Sequence, residues 1–363
     1  MIKTSLPFIT FYTLFQAYVF WRAGAASVVR RHVSRLWLLV AFVLVWILFV
    51  TGMFGNYYGE WIVFLFMNFL FLLVVDLVSG FGFFLPRLAP RLRTGALAAA
   101  LLFMATALVQ GARAPVVRDY EVRLTGLPPE LDRTVLVAVG DLHAGRLTSP
   151  GWLRARVDQV LALHPDMILL LGDIVEAHGG DPEHRYDGFV PALKALQAPL
   201  GVWAVLGNHE YRYMNGPMSA DTLAYGQAGI PLLRNRWAQV RPGLVLAGVD
   251  FAGFQHQTGI EKENLHLALE GRPPGATILL SHAPVQADQA AQAGVGLMLS
   301  GHTHGGQVWP LGYLGRRYYY SLFEGRYEVG GMTVLVTRGA GTYAARMRLW
   351  QPGEIMRITL RCE

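Results

Sequence analysis

Five short clusters hold the residue types that could do chemistry in this chain. They are Gly140-Asp141-Leu142-His143, Gly172-Asp173-Ile174-Val175-Glu176, Gly207-Asn208-His209-Glu210, Ser281-His282-Ala283-Pro284 and Gly301-His302-Thr303-His304-Gly305-Gly306. A carboxylate and an imidazole two residues apart can reach one metal ion together. Taken singly, each has a plain structural explanation. Asp141 or Asp173 can cap a helix, Asn208 suits a turn, His282 can sit satisfied in a core, and His302 and His304 can be loop residues. Those explanations do not produce the same placement five times. Each cluster follows an apolar run, and four of the five begin with glycine, which permits a sharp turn that exposes the next side chain. The only cysteine, Cys362, is next to the C-terminus, so a thiolate metal site or a disulfide framework cannot be built. Nitrogen and oxygen donors without sulfur suit Mn, Fe or Zn better than Ca.

The elements that must position these clusters are legible as alternating patterns. Residues 134–139 are a short, β-branched, glycine-bounded run, which favours a buried strand. Further strands are expected at 167–171, 202–206, 244–249, 276–280, 297–299, 333–337 and 354–360. Helices are expected near 151–163, 187–197, 218–228, 260–269 and 285–293. Residues 116–133 read as a strand and a turn broken at Pro128-Pro129. Strands alternating with helices imply an α/β domain with covered sheets, and open α/β sheets place ligand sites at their strand ends.

The first third has a different character. The chain of 363 residues is 53% apolar with a net charge of +6 and a mean hydropathy of +0.33, too hydrophobic for an ordinary soluble enzyme. The first 110 residues carry the whole net charge, and the remainder is balanced. The basic character therefore belongs to the apolar part and gives no nucleic-acid-binding face. Apolar segments run over about 6–21, 36–54, 61–85 and 95–110, and a membrane span needs roughly 20 such residues. The loops after the first and third segments hold Arg22, Arg30, Arg31, Arg35 and Arg87, Arg91, Arg93, whereas the loop at 55–60 has no Lys or Arg. This is the positive-inside alternation. It places the Arg-rich loops in the cytoplasm and the later domain outside it. Asp76, within the third segment, is read first as an interior polar contact, although an intramembrane carboxylate also invites a functional reading.

The ordered set GDxH, GDxxE, GNHE, SHxP and GHTH resembles the calcineurin-like metallophosphoesterase superfamily over about residues 134–340. The GHTHGGQ wording behind a membrane-embedded N-terminus is most similar to its transmembrane branch, of YkuE and YaeI type. The resemblance implies an α/β fold, an αββα sandwich preceded by an all-α transmembrane bundle. The divisions are 1–111 for about four membrane helices, 112–133 for a linker and first strand, and 134–363 for the phosphoesterase domain. It further implies two divalent metal ions. Asp141, His143 and His304 would hold the first, Asn208, His282 and His302 the second, and Asp173 would bridge them. His209 would be the catalytic histidine, with Glu176 and Glu210 as supporting carboxylates. Two cations about 3.5–4 Å apart can grip a phosphate and acidify a water between them.

Arg146 and Arg338 are candidates for a further positive contact to substrate, with solvated surface arginine the simpler reading of both. Tyr318, Tyr319, Tyr320 and Phe323, with Arg316 and Arg317, can form a rim or a packed strand. The expectation is a metal-dependent phosphoesterase in a bacterial inner membrane, its catalytic domain extracytoplasmic. Its partner would be a membrane lipid or lipid-linked phosphate, with no nucleic acid. A UDP-2,3-diacylglucosamine diphosphatase would need a cytoplasmic site. A membrane sensor or scaffold with an inactive phosphoesterase domain is the alternative of another class.

Overall fold

The computed structural model describes residues 6–51, 57–145, 147–176, 186, 188–212, 220–251, 260–318 and 321–363. Arg146, Tyr319 and Tyr320 lie outside the described residues. The chain divides into two compact units. One comprises residues 1–112 and 344–349, the other 113–343 and 350–363.

The first unit is helical: α1 (Leu6–Gly24), α2 (Ser27–His32), α3 (Arg35–Val50), α4 (Tyr58–Ser79) and α5 (Ala89–Ala112). Helices α4 and α5 are long and apolar enough to cross a membrane, while α3 is a shorter apolar helix. The fourth apolar segment is thus a full-length helix starting six residues before the run at 95. The second is a helix over Arg35–Val50, its start fixed by Ser34, whose side chain accepts from the Trp37 amide. Large apolar side chains face outward, among them Leu14, Leu36, Leu77 and Leu102, as a lipid-facing bundle requires. Polar groups inside are satisfied locally: the Trp61 indole donates to the Tyr12 hydroxyl at 2.9 Å, and Gln16 donates to the Phe42 carbonyl at 2.9 Å.

Asp76 makes the expected interior contact. It is fully buried on α4 and accepts from Arg22 of α1, from Arg93 of α5 at 3.0 Å and from the Tyr18 hydroxyl at 2.7 Å. Ionised Asp76 thus joins three helices and neutralises one of two buried guanidinium groups. Replacing it with alanine strands both arginines, which in a buried setting costs about 3–5 kcal/mol. The Asp76→Ala protein should therefore unfold at markedly lower temperature in detergent, read by loss of helical circular dichroism.

Residues 344–349 belong to this unit although they come late in the chain. The Arg346 amide and Nε both donate to Glu60 Oε1, at 3.0 and 2.9 Å, and the Arg348 amide donates to the Ala107 carbonyl at 3.0 Å. Gly59 and Gly111 lie so close to this segment that a Cβ at either would strike its backbone.

The second unit opens with β1 (Val116–Leu124), β2 (Val135–Val139), β3 (Ala144–Gly145), α6 (Pro150–Leu161), β4 (Met167–Leu170) and β5 (Val175–Glu176). It continues through α7 (Val190–Lys194), β6 (Val202–Ala204), α8 (Asn208–Arg212), α9 (Ala220–Ala228), β7 (Arg236–Arg241) and β8 (Leu244–Val249). Then come α10 (Ile260–Leu269), β9 (Ala276–Ser281), α11 (Ala287–Gln292), β10 (Leu297–Ser300), α12 (Leu311–Tyr318), β11 (Gly325–Val329), β12 (Met332–Val336) and β13 (Glu354–Cys362).

Two large sheets result, ordered β1-β13-β2-β4-β6 and β11-β12-β10-β9-β8-β7, with β3 and β5 as a small separate pair. Leu136, Leu169 and Met356 of the first sheet meet Leu246, Ile278 and Leu299 of the second in one buried core. Alternate residues of the first sheet, such as Val137 and Ile168, turn the other way, onto α6, α7 and α9. Ala247, Leu279 and Met298 of the second sheet likewise pack on α10 and α11. The unit is therefore a four-layer αββα sandwich. Both faces of each sheet are covered, which explains why central strands read as unbroken apolar runs.

Candidate metal centre

The five clusters lie at the ends of β2, β4 and β6 of the first sheet and β9 and β10 of the second, and strand order together with the stacking of the two sheets brings them together. Asp141, His143 and His304 form one group of donor atoms, and Asp173, His282 and His302 another, each within 4.8 Å. A third group of the same kind, His143, Asp173 and His209, joins them. His143 Nε2 is 3.1 Å from His304 Nε2 and 3.7 Å from Asp173 Oδ2. His304 Nε2 is 3.5 Å from Asp141 Oδ1. His282 Nε2 faces Asn208 Oδ1 at 3.1 Å, His302 Nδ1 at 3.1 Å and Asp173 Oδ2 at 3.3 Å.

The backbone around these side chains is unusual. Asp141, His143, Asp173, His302 and His304 all have φ between 47° and 73°. Non-glycine residues avoid this left-handed region at about 1–2 kcal/mol each, and such residues gather at functional sites. Of the glycines before them, Gly172 is itself left-handed at φ 86°, as a sharp turn requires, and the other three serve a different purpose. Gly140, Gly207 and Gly301 are not left-handed. They leave room instead. A Cβ on Gly301 would lie 2.5 Å from Asp141 Oδ2, and one on Gly207 would overlap the Asp173 carboxylate. The turn is made by the donor residue, and the glycine lets a neighbouring carboxylate approach.

Hydrogen bonds fix which ring nitrogens face inward. His282 Nδ1 donates to the Leu171 carbonyl at 2.8 Å. His143 Nδ1 donates to Glu176 Oε2 at 3.0 Å, and His209 Nδ1 to Glu176 Oε1 at 2.8 Å. The neutral rings therefore turn Nε2 lone pairs inward, an outer-partner arrangement common around metal-ligating histidines. At His282 the inward nitrogen meets a carboxylate oxygen, an amide oxygen and another ring nitrogen. Such acceptors repel unless a positive charge stands among them. The donor set accordingly fits a divalent cation of nitrogen and oxygen preference.

Without a cation, that role falls to a proton. Burial opposes charge on His282, but the Asp173 carboxylate lifts its pKa to about 10. Burial, followed by the neighbouring His282 charge, pushes His302 down to about 3. Burial raises Asp141 to about 6. For Glu176, burial raises the pKa but hydrogen bonds from His143 and His209 more than offset it, and it stays ionised. The sign of the linkage follows. His282 has a folded pKa above its unfolded value, so its proton stabilises the metal-free fold fully below about pH 6.5. That contribution is lost as pH rises toward 10. A divalent ion must displace the proton. Zn²⁺ added in weakly buffered solution at pH 8 should release about one proton per ion at this position, with affinity rising about tenfold per pH unit between 7 and 9. Indicator-dye titration with calorimetry checks this, and uptake without proton release would refute it.

Further residues complete the site. Glu210 is fully buried and accepts from the amides of Asp173, Ile174 and Gly207 and from the Tyr225 hydroxyl, at 2.7–2.8 Å. The Tyr343 ring stands edge-on to His209 at 4.7 Å and lies 5.3 Å from His143. Gln307 clamps the Tyr343 backbone from both sides, at 2.8 and 3.0 Å. Nothing in the local sequence marks Tyr343, whose partners are 36 or more residues distant. Phe251 lies 5.5 Å from the His302 ring. Arg338 is placed otherwise than a surface arginine: it is buried, it contacts Glu354 Oε2 at 2.8 Å, and its stem lies against Gly305.

Residues 134–306 match the family model described as calcineurin-like phosphoesterase. An uncharacterized metallophosphoesterase of Aquifex aeolicus is 31% identical, over 68% of this chain and 91% of its own. A "Transmembrane protein with metallophosphoesterase domain" of Bos taurus is 31% identical over 70% of this chain and 59% of its own. The chain thus spans about three fifths of the length of that relative. The uncharacterized metallophosphoesterase YkuE of Bacillus subtilis is 25% identical over 67% of this chain and 84% of its own. The transmembrane name of the Bos taurus relative and the two spanning-length helices both point to membrane association, and the matched domain with its His/Asp groups to divalent-metal binding. With 31% identity over nine tenths of the Aquifex metallophosphoesterase, and a family model matching the stretch that carries the five clusters, the chain belongs to the calcineurin-like metallophosphoesterase family.

Proposed function

We propose that this chain is a membrane-anchored phosphohydrolase with a dinuclear metal centre, cleaving a phosphate ester or diphosphate of a lipid or cell-envelope molecule. The observation that carries the reading is the position of Asp173. One of its oxygens faces both donor groups, at 3.7 Å from His143 and 3.3 Å from His282, while the other accepts from the His209 amide at 2.8 Å. Asp141, His143 and His304 would hold one cation and Asn208, His282 and His302 the other, with Asp173 placed to serve both. When bound, such a pair supplies Lewis acidity toward phosphoryl oxygen and an acidified water; Mn, Fe or Zn suit the donors.

The chain's own residues do the rest. Glu176 orients His143 and His209 through its two oxygens. With Nδ1–H held by Glu176, His209 as the imidazolium would present its Nε2 proton to the leaving oxygen. Tyr343 and Phe251 wall the site and keep bulk water from its charges. Arg-rich loops around α2 and before α5 favour the cytoplasmic side, which puts the catalytic unit outside the cytoplasm of a bacterial cell.

The test is metal analysis and hydrolysis of bis(p-nitrophenyl) phosphate by the full chain in nanodiscs. Two metal equivalents and activity abolished by chelation are expected. A metal-free, inactive protein would instead be a membrane scaffold. A C-terminal reporter active only outside the cytoplasm tests the orientation. A cytoplasmic signal would overturn it and favour a UDP-2,3-diacylglucosamine diphosphatase role.

A further inference from the structure

Beside the donor cluster lies a second feature of the αββα unit, a partly open cavity of about 150 Å³. It begins at Gly305, the residue after His304, and its walls include Trp309, Phe323, Trp350, Glu324 and Arg316. The two indoles adjoin, with centroids 5.1 Å apart and planes inclined by 59°, and form one angled aromatic wall. Trp309 is 39% and Trp350 54% exposed. Two adjoining indoles left this open beside a site offer a ligand a contiguous apolar face. Phe323 forms the buried floor, and the Arg316 guanidinium lies 5.9 Å from its ring. Glu324 stands at the rim, 3.8 Å from Arg316, and Gln351 donates to it at 3.4 Å. A Cβ at Gly305 would lie 2.8 Å from Glu324 Oε2, so glycine there lets the carboxylate reach the cavity.

The volume has room for about one six-membered ring. The walls decide which kind. An acyl chain would have no use for a carboxylate, an amide and a guanidinium on the rim. A nucleobase calls for two parallel faces, and these indoles are inclined and touch each other. A sugar ring has one apolar C–H face for an indole and a girdle of hydroxyls for a rim of donors and acceptors. We propose that this cavity is the subsite for the organic half of the substrate and that it takes a hexose, which makes the substrate a glycosyl or sugar phosphate. The proposal rests on the phosphoesterase reading above for the phosphate half only.

Two measurements on the full chain in nanodiscs test it, since maltoside detergents carry both a sugar and a chain. The first needs no turnover: tryptophan fluorescence is titrated with methyl β-D-glucoside. A saturable change with a dissociation constant of about 1–100 mM is expected, and it should vanish in Trp309→Ala and Trp350→Ala. The second compares kcat/KM for glucose 1-phosphate and methyl phosphate, with AMP and dodecyl phosphate alongside. The glucose ester should be favoured over methyl phosphate at least tenfold, and either tryptophan variant should lower that ratio at least tenfold. No saturable glucoside signal, or one that persists in both variants, overturns the proposal. So does a tryptophan-dependent preference for AMP or dodecyl phosphate. Tryptophan-dependent glucoside binding without hydrolysis of any ester sinks the phosphoesterase reading and leaves the sugar site standing.

Discussion

Asp173→Ala should lower metal-dependent kcat/KM by at least about 10³-fold, more than any other single change in the site. The reason is geometric. One carboxylate is shared by both donor groups and also receives the His209 amide. Removing it separates the groups, leaves His282 without its charged partner and frees the backbone that carries His209. Metal content should fall with activity, because the remaining rings and Asp141 no longer form two complete sets. Asp173→Asn keeps the shape and halves the acceptor capacity, so it should share most of the loss. Inductively coupled plasma analysis and initial rates at saturating metal decide the matter. A variant with full metal content and more than a tenth of wild-type activity would show that Asp173 does not bridge.

Glu210→Ala is expected to have the largest effect on stability. Its carboxylate accepts from three main-chain amides, on Asp173, Ile174 and Gly207, and from the Tyr225 hydroxyl. Each buried donor left unsatisfied costs about 1–3 kcal/mol. The sum over four donors, about 4–12 kcal/mol, is comparable with the whole stability of many domains, about 5–15 kcal/mol. The variant should melt far below wild type or fail to fold. Tyr225→Phe removes one of the four contacts and should cost only about 1 kcal/mol. Thermal unfolding of both separates them, and a Glu210→Ala protein within about 1 kcal/mol of wild type would refute this account.

Much of the site is legible in the sequence because chemistry and strand pattern coincide there. A buried central strand must be apolar throughout, so the polar residues after 139, 171, 206, 281 and 300 stand out against it. Strands with one open face are harder to see. Arg236–Arg241 and Gly325–Val329 lie at the two edges of the second sheet with exposed alternate positions, and neither is anticipated. Nor does composition reveal that β13 enters the first sheet between β1 and β2, parallel to one and antiparallel to the other. Register between strands 230 residues apart is a tertiary property. Left-handed donors escape notice for a related reason: Asp and His tolerate positive φ better than most residues but adopt it in only a small share of cases, and the surrounding packing holds them there. The role of Glu176 is half legible. Its spacing suggests support, but that its two oxygens hold two different histidines follows only from the three-dimensional arrangement.

Residues 344–349 bear on how the enzyme could ever be set free. An ordinary tethered domain can be shed by one cut in its linker. Here the later chain leaves the catalytic unit after Tyr343, threads six residues into the helical unit, and returns at Trp350. Ala345, Met347 and Leu349 are buried there. Cleavage near residue 113 would not release a finished soluble enzyme. It would tear three apolar side chains and the Arg346–Glu60 pair from their seats, and both neighbours of that loop line functional ground: Tyr343 beside His209, and Trp350 in the aromatic wall. Without residues 1–112 the Arg346 guanidinium would lose Glu60 and the Arg348 amide would lose the Ala107 carbonyl, so the six-residue segment depends on helices that precede it by more than 200 positions.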